Sequence, residues 1–138
     1  AEYSEGSIGK ALTFAGSEEF SKLRDNVREI LKNISKMSWF DLTAAAAGLE
    51  EYRELADITD MIYLWYRDVL VYKTTQNEGL IIEKDLTPAI KTEAERAAFE
   101  GLYKIPKLIN ETKKQIRQNV NFVFALEMLF INIKGELS

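Results

Sequence analysis

The sequence predicts an all-α fold, an irregular, orthogonally packed bundle of about six helices. Three observations carry this. Only two prolines occur in 138 residues. Apolar residues recur at intervals of three and four over long stretches rather than alternating. The one short apolar run with strand character, Leu80-Ile81-Ile82, has no second run to pair with.

The chain opens with "GSIGKAL", where Ser7 suits a helix cap and Ile8, Ala11, Leu12 and Ala15 form a short apolar stripe. Gly16 is expected to end this helix and Ser17 to start the next, with Glu18 and Glu19 at its positive end. Phe20, Leu23, Val27, Ile30, Leu31 and Ile34 then mark a one-faced helix, whose other side carries Lys22, Arg24, Asp25, Arg28 and Lys32 as a solvated face. "MSWFDLTAAAAGLEEYREL" predicts a helix that loosens near Gly48. Trp39, Phe40 and Leu42 are core or interface anchors, and the alanine run admits another helix at close range.

"DITDMIYLWYRDVLVY" predicts the central helix. Ile58, Ile62, Trp65, Val69 and Tyr72 make one stripe and Met61, Leu64 and Val71 a second, so several neighbours must cover it. Arg67 and Asp68 interrupt the pattern; being adjacent, they are not expected to pair with one another. An irregular connection follows, with Leu80-Ile81-Ile82 tucked over the core. Asp85 or Thr87 is expected to cap a helix from Pro88 to Ala97. Leu102, Ile105, Ile109 and Ile116 mark a helix from Phe99 to Gln118, although Pro106 inside it should cost about 3 kcal/mol or kink it. Asn119 suits the C-cap and Asn121 the next N-cap. The last helix, "FVFALEMLFINIK", is apolar nearly all round yet too short to span a bilayer. It requires either central burial or a protein–protein interface.

Composition removes much chemistry. Without histidine or cysteine there is no imidazole base, thiol nucleophile, disulfide or thiolate or imidazole zinc site. The net charge of −4 argues against bulk nucleic-acid affinity. Lys107, Lys113, Lys114 and Arg117 nonetheless form a basic helix face that could meet DNA, although no aromatics interleave with it. Gly9-Lys10 resembles the end of a phosphate-binding loop, but Ala11 replaces the magnesium-binding hydroxyl and Ser4 stands where the first glycine belongs. The pairs Glu18/Glu19, Glu50/Glu51/Glu54 and Asp57/Asp60 read as solvated charge at helix starts or on polar faces. No cofactor, metal, small-molecule ligand, membrane span or catalytic constellation is expected. Ala1 in place of methionine suggests a fragment or processed chain.

Four stretches, in order, resemble the C-terminal part of the delta-prime subunit of bacterial DNA polymerase III, a clamp-loader protein. They are "EGSIGKAL", "LWYRDVLVYK", "IIEKD" with its following helix, and "QNVNFVFALEMLFINI". The first is similar to the lid helix of AAA+ clamp-loader subunits, with Gly9 at the position of the phosphate-sensing arginine. A lid remnant in a subunit that does not hydrolyse ATP is what this implies. Phe122 departs from the proline common after N-V-N.

The resemblance implies the end of a lid region over residues 1–16 and a helical collar domain over 17–138. It further implies a non-enzymatic role in the cytoplasm: assembly with the delta and tau/gamma subunits to load the sliding clamp, with DNA met only through the complex. The interface anchors it suggests are Trp65 and Tyr66 on the central helix and Phe122, Phe124, Phe130 and Ile131 on the last. Some of these must be core, and the sequence does not sort them. The competing expectation is an independent helical adaptor that homodimerises through its last helix.

Overall fold

A computed structural model describes residues 13–138 of the chain, and six α-helices follow one another there. They are α1 (Thr13–Asn33), α2 (Trp39–Gly48), α3 (Ile58–Thr75), α4 (Thr87–Arg96), α5 (Phe99–Arg117) and α6 (Phe122–Leu137). Single 3₁₀ turns at Ile34–Lys36, Glu50–Tyr52, Glu78–Leu80 and Lys84–Leu86 fill the connections, and no strand occurs among the described residues. The all-α bundle expected from periodicity is the observed architecture.

α3 is the centre. α1, α4 and α5 all pack on it, and α6 closes the bundle against α5 and α2. The first stripe of α3, Ile58, Ile62, Trp65, Val69 and Tyr72, is buried together with Tyr66; of the second, Met61 packs partly against the core, and Leu64 and Val71 are half-buried. α6 is also central on one side, burying Phe122, Ala125, Leu126, Leu129, Phe130, Ile133 and Leu137. Each of the large side chains among them contributes about 1.5–3 kcal/mol of apolar transfer before entropic costs.

Several local expectations are corrected. No break occurs at Gly16, because the α1 backbone is helical from Thr13 to Asn33, so Ser17 caps nothing and Glu18 and Glu19 lie inside the helix. Gly9 and the remainder of the opening stretch up to Leu12 lie outside the described residues. Neither Asp85 nor Thr87 caps α4. Leu86 holds the N-cap position without a side-chain bond, and the Thr87 hydroxyl donates back to the Lys84 carbonyl.

α5 runs through Pro106 as one helix. Proline offers no N–H to the Leu102 carbonyl, and burial of Leu102, Ile105 and Ile109 on the same helix offsets that loss. Asn119 stands one residue past the C-cap Gln118 with φ 68°, and Asn121 caps α6 by accepting the Phe124 N–H at 2.8 Å.

The Arg67–Asp68 expectation also fails. Arg67 Nη1 reaches Asp68 Oδ1 at 2.7 Å because both side chains converge on the connection after α3. Arg67 donates to the Leu80 carbonyl, while the fully buried Asp68 accepts the N–H groups of Ile82 and Glu83 at 2.9 Å each. This clasp seats Ile81 in the core and leaves Leu80 and Ile82 outward. Only the middle residue of the apolar triplet is therefore tucked in.

Candidate assembly surface

The six anchors expected from sequence divide by position. Trp65, Tyr66 and Phe130 are at most 1 % exposed and belong to the core. Phe122 is buried as well, with the Arg53 guanidinium 5.1 Å from its ring centroid. In this fold these four have no surface to offer a partner, which corrects their reading as interface anchors. The reason is that α1, α4 and α5 cover α3, and α2 and α5 cover the inner side of α6, within one chain. Ile131 is half-buried at the margin, and Phe124 is 55 % exposed.

Aromatic side chains are exposed on α3 (Tyr63), on α5 (the stacked Phe99 and Tyr103) and, most of all, at the start of α2. Ser38 starts this helix with a capping box: its hydroxyl accepts the Asp41 N–H, and the Asp41 carboxylate accepts the Ser38 N–H, each at 3.1 Å. The cap fixes the first turn, from which Trp39 and Phe40 project at 67 % and 81 % exposure. Leu42, Ala46 and Leu49 face the core instead. Phe40 is two residues before Leu42, about 200° round the helix, so its position opposite the buried stripe was readable from spacing. Trp39 lies on the Leu42 stripe, yet it sits at the first turn, where the packing ends.

Three contacts show that α2 and α6 run antiparallel. Lys134 Nζ donates to the Ser35 carbonyl at 2.8 Å, Thr43 Oγ1 to Glu127 Oε2 at 2.9 Å, and Arg53 lies over Phe122. Trp39, one turn before Thr43, therefore lies level with Ile131, one turn after Glu127, and Phe124 lies one turn before Glu127. On helical spacing the exposed Trp39 and Phe40 lie one turn before Thr43 on α2, and the exposed Phe124 one turn before Glu127 on α6, so all three lie on the side of the Thr43–Glu127 bridge.

The basic face of α5 is only partly free. Lys113 is committed to Asp60 at 2.7 Å and Asp57 at 3.5 Å, tying α5 to the start of α3. Its hydrogen bond to Asp60 and the two carboxylates hold its amine above the usual lysine range. Lys113 is thus a tether, not a member of an open basic face. Lys107, Lys114 and Arg117 are exposed and form no ion pair among the described residues.

Nearby, Asp57 caps α3 through the N–H groups of Thr59 and Asp60 and through the Thr59 hydroxyl. Burial pushes its carboxyl up, but these hydrogen bonds and Lys113 outweigh that and hold it below the ordinary range. Arg53 pairs with Glu50. Among the described residues no cluster of three or more carboxylates is arranged to hold a metal, and no helix is long and apolar enough to cross a membrane.

Trp39, Phe40 and Phe124 thus leave large aromatic side chains exposed on α2 and α6. Comparison with known families matches residues 18–135 to DNA polymerase III, delta subunit, C terminal. The chain belongs to that family, and so to the clamp-loader proteins. No curated protein and no solved structure matches it.

Proposed function

We propose that this chain is a collar domain, the helical part through which a clamp-loader subunit assembles with its sister subunits. The observation that carries the reading is the exposed aromatic face of α2 and α6 in a member of the delta C-terminal family. Large exposed apolar side chains around a packed bridge favour association, and aromatic anchors dominate such interfaces. The working parts are Trp39, Phe40, Phe124 and Met128, with Ile131 at the margin. The chain's task is to hold subunits in register while the sliding clamp is loaded, and no catalytic step is assigned to it.

The finer assignment is to a delta-prime-like subunit, whose partners are delta and tau/gamma in the cytoplasm. Asn119-Val120-Asn121 with the α6 sequence supports it, as does Gly9 at the arginine position. Residues 1–16 then belong to the end of a lid and 17–138 to the collar, a division that falls within α1. DNA is met only through the assembled complex, on the side of Lys107, Lys114 and Arg117.

The test is size exclusion with light scattering on this chain mixed with delta, delta-prime or tau/gamma subunits of the same organism. A heteromeric complex that includes delta supports the delta-prime reading. One that includes delta-prime but not delta supports a delta subunit. A stable symmetric dimer with no heteromer favours the independent adaptor.

A further inference from the structure

We infer that the aromatic face recognises a cation: its partner presents an arginine or lysine that seats between the exposed rings and pairs with Glu127. The inference rests on the assembly reading and specifies the partner's chemistry.

Glu127 is the only charged side chain between Asn121 and Asn132 on α6. It is half-buried, and its one hydrogen-bond partner is the Thr43 hydroxyl, whose single proton is shared between Glu127 Oε2 at 2.9 Å and the Trp39 carbonyl at 3.0 Å. It forms no ion pair among the described residues, although the other long charged side chains near α6, Lys134 and Glu136, have partners within the chain. On its own side of α6 stand Phe124 one turn before and Ile131 one turn after, and Trp39 and Phe40 lie one turn before Thr43 on α2. One carboxylate oxygen is engaged by Thr43, and the other has no hydrogen-bond partner among the described residues, on a side of α6 that also carries Phe124 and Ile131.

A carboxylate edged by aromatic faces suits a guanidinium above all. The rings attract its face, and the carboxylate takes its N–H groups. An apolar partner alone would bury Glu127 unpaired, which is costly. A second copy meeting this face about a two-fold axis would bring Glu127 towards its own equivalent, carboxylate against carboxylate. The charge on the face therefore favours a different chain over a self-pair.

The experiment measures affinity of this chain for the tau/gamma, delta and delta-prime subunits of its organism by calorimetry, across a salt series. Variants are Glu127→Gln, which keeps an acceptor for Thr43, Glu127→Lys, and Phe40→Ser. Glu127→Gln is expected to weaken binding about tenfold or more and to flatten its salt dependence, and Glu127→Lys to abolish it. Unchanged affinity and salt slope in Glu127→Gln, with Phe40→Ser still weakened, overturns the cation and leaves the assembly surface standing. No binding to any subunit, or full binding by Phe40→Ser, removes the assembly reading on this face and the inference with it. A homodimer seated on this face also overturns it. Circular dichroism of each variant confirms that it is folded.

Discussion

Asp68 is the residue on which the longest irregular connection depends. It is fully buried and accepts two backbone N–H groups and one guanidinium contact. Asp68→Ala leaves the Ile82 and Glu83 N–H groups without acceptors and Arg67 without its partner. Hydrogen bonds to a charged group contribute about 1.5–3 kcal/mol each, so a loss of about 3–5 kcal/mol is expected in urea denaturation. Faster proteolysis between Gln76 and Leu86 should accompany it, whereas uniform destabilisation without enhanced cutting there would refute the clasp.

Glu93 on α4 makes the opposite kind of contribution. Its side chain is buried beside Tyr66, with Oε1 held by Arg96 and Oε2 lacking a hydrogen-bond partner. Burial pushes its carboxyl above the ordinary range, against the pull of Arg96. Because the folded state holds the proton more tightly than the unfolded chain, this group's contribution to stability falls as pH rises from the ordinary glutamate value through the raised one. Glu93→Gln is expected to flatten that part of the pH–stability curve. Equal slopes for both proteins in denaturant titrations would show that Glu93 does not control it.

At the scale of elements, α5 and α6 approach closely at Gly101. A Cβ built on Gly101 would lie 2.1 Å from the Glu136 carbonyl oxygen, inside contact distance of backbone that cannot swing aside. Gly101→Ala must therefore push the helices apart, and a cost of about 1–3 kcal/mol or more is expected in thermal unfolding, despite alanine's better helix propensity. A gain in stability would mean that the pair slides freely.

Ser38→Ala, which removes the α2 capping box, should cost about 1 kcal/mol. Since that box fixes the turn bearing Trp39 and Phe40, it should also weaken subunit binding.

Helices of strong periodicity, α3 and the second half of α1, were legible in the sequence, as were the Asn121 cap and the Pro88 start. What was not legible depended on contacts distant in sequence. Gly16 reads as a stop, yet nothing local forces one. Gly101 carries no signal until α6 lies across it. Trp65 and Phe124 are both aromatics on apolar helices, and only the assembled bundle decides that one is core and the other surface.

At the scale of the whole molecule, two sets of large side chains separate stability from assembly. Trp65 and Phe130 sit at the centre, so Trp65→Ala should cost about 3–5 kcal/mol and impair folding itself. Phe40 is largely in water, so Phe40→Ser should leave the melting temperature nearly unchanged while weakening complex formation.

Charge is segregated in the same way. The chain carries −4 overall, yet Lys107, Lys114 and Arg117 project from α5 without an ion pair among the described residues. A domain of that net charge should bind DNA weakly alone. Within an assembled loader, where other subunits supply the field, the three cations could each displace a counterion. Replacing all three with glutamine in the complex is then expected to lower the slope of log affinity against log salt by about 2–3 units. The measurement is fluorescence anisotropy of primed DNA over a salt series, with Lys113→Gln as the comparison. Because Lys113 already neutralises Asp57 and Asp60, its loss should lower stability while leaving the slope in place. An unchanged slope in the triple variant would turn this face of α5 to solvent and leave DNA contact to the partner subunits.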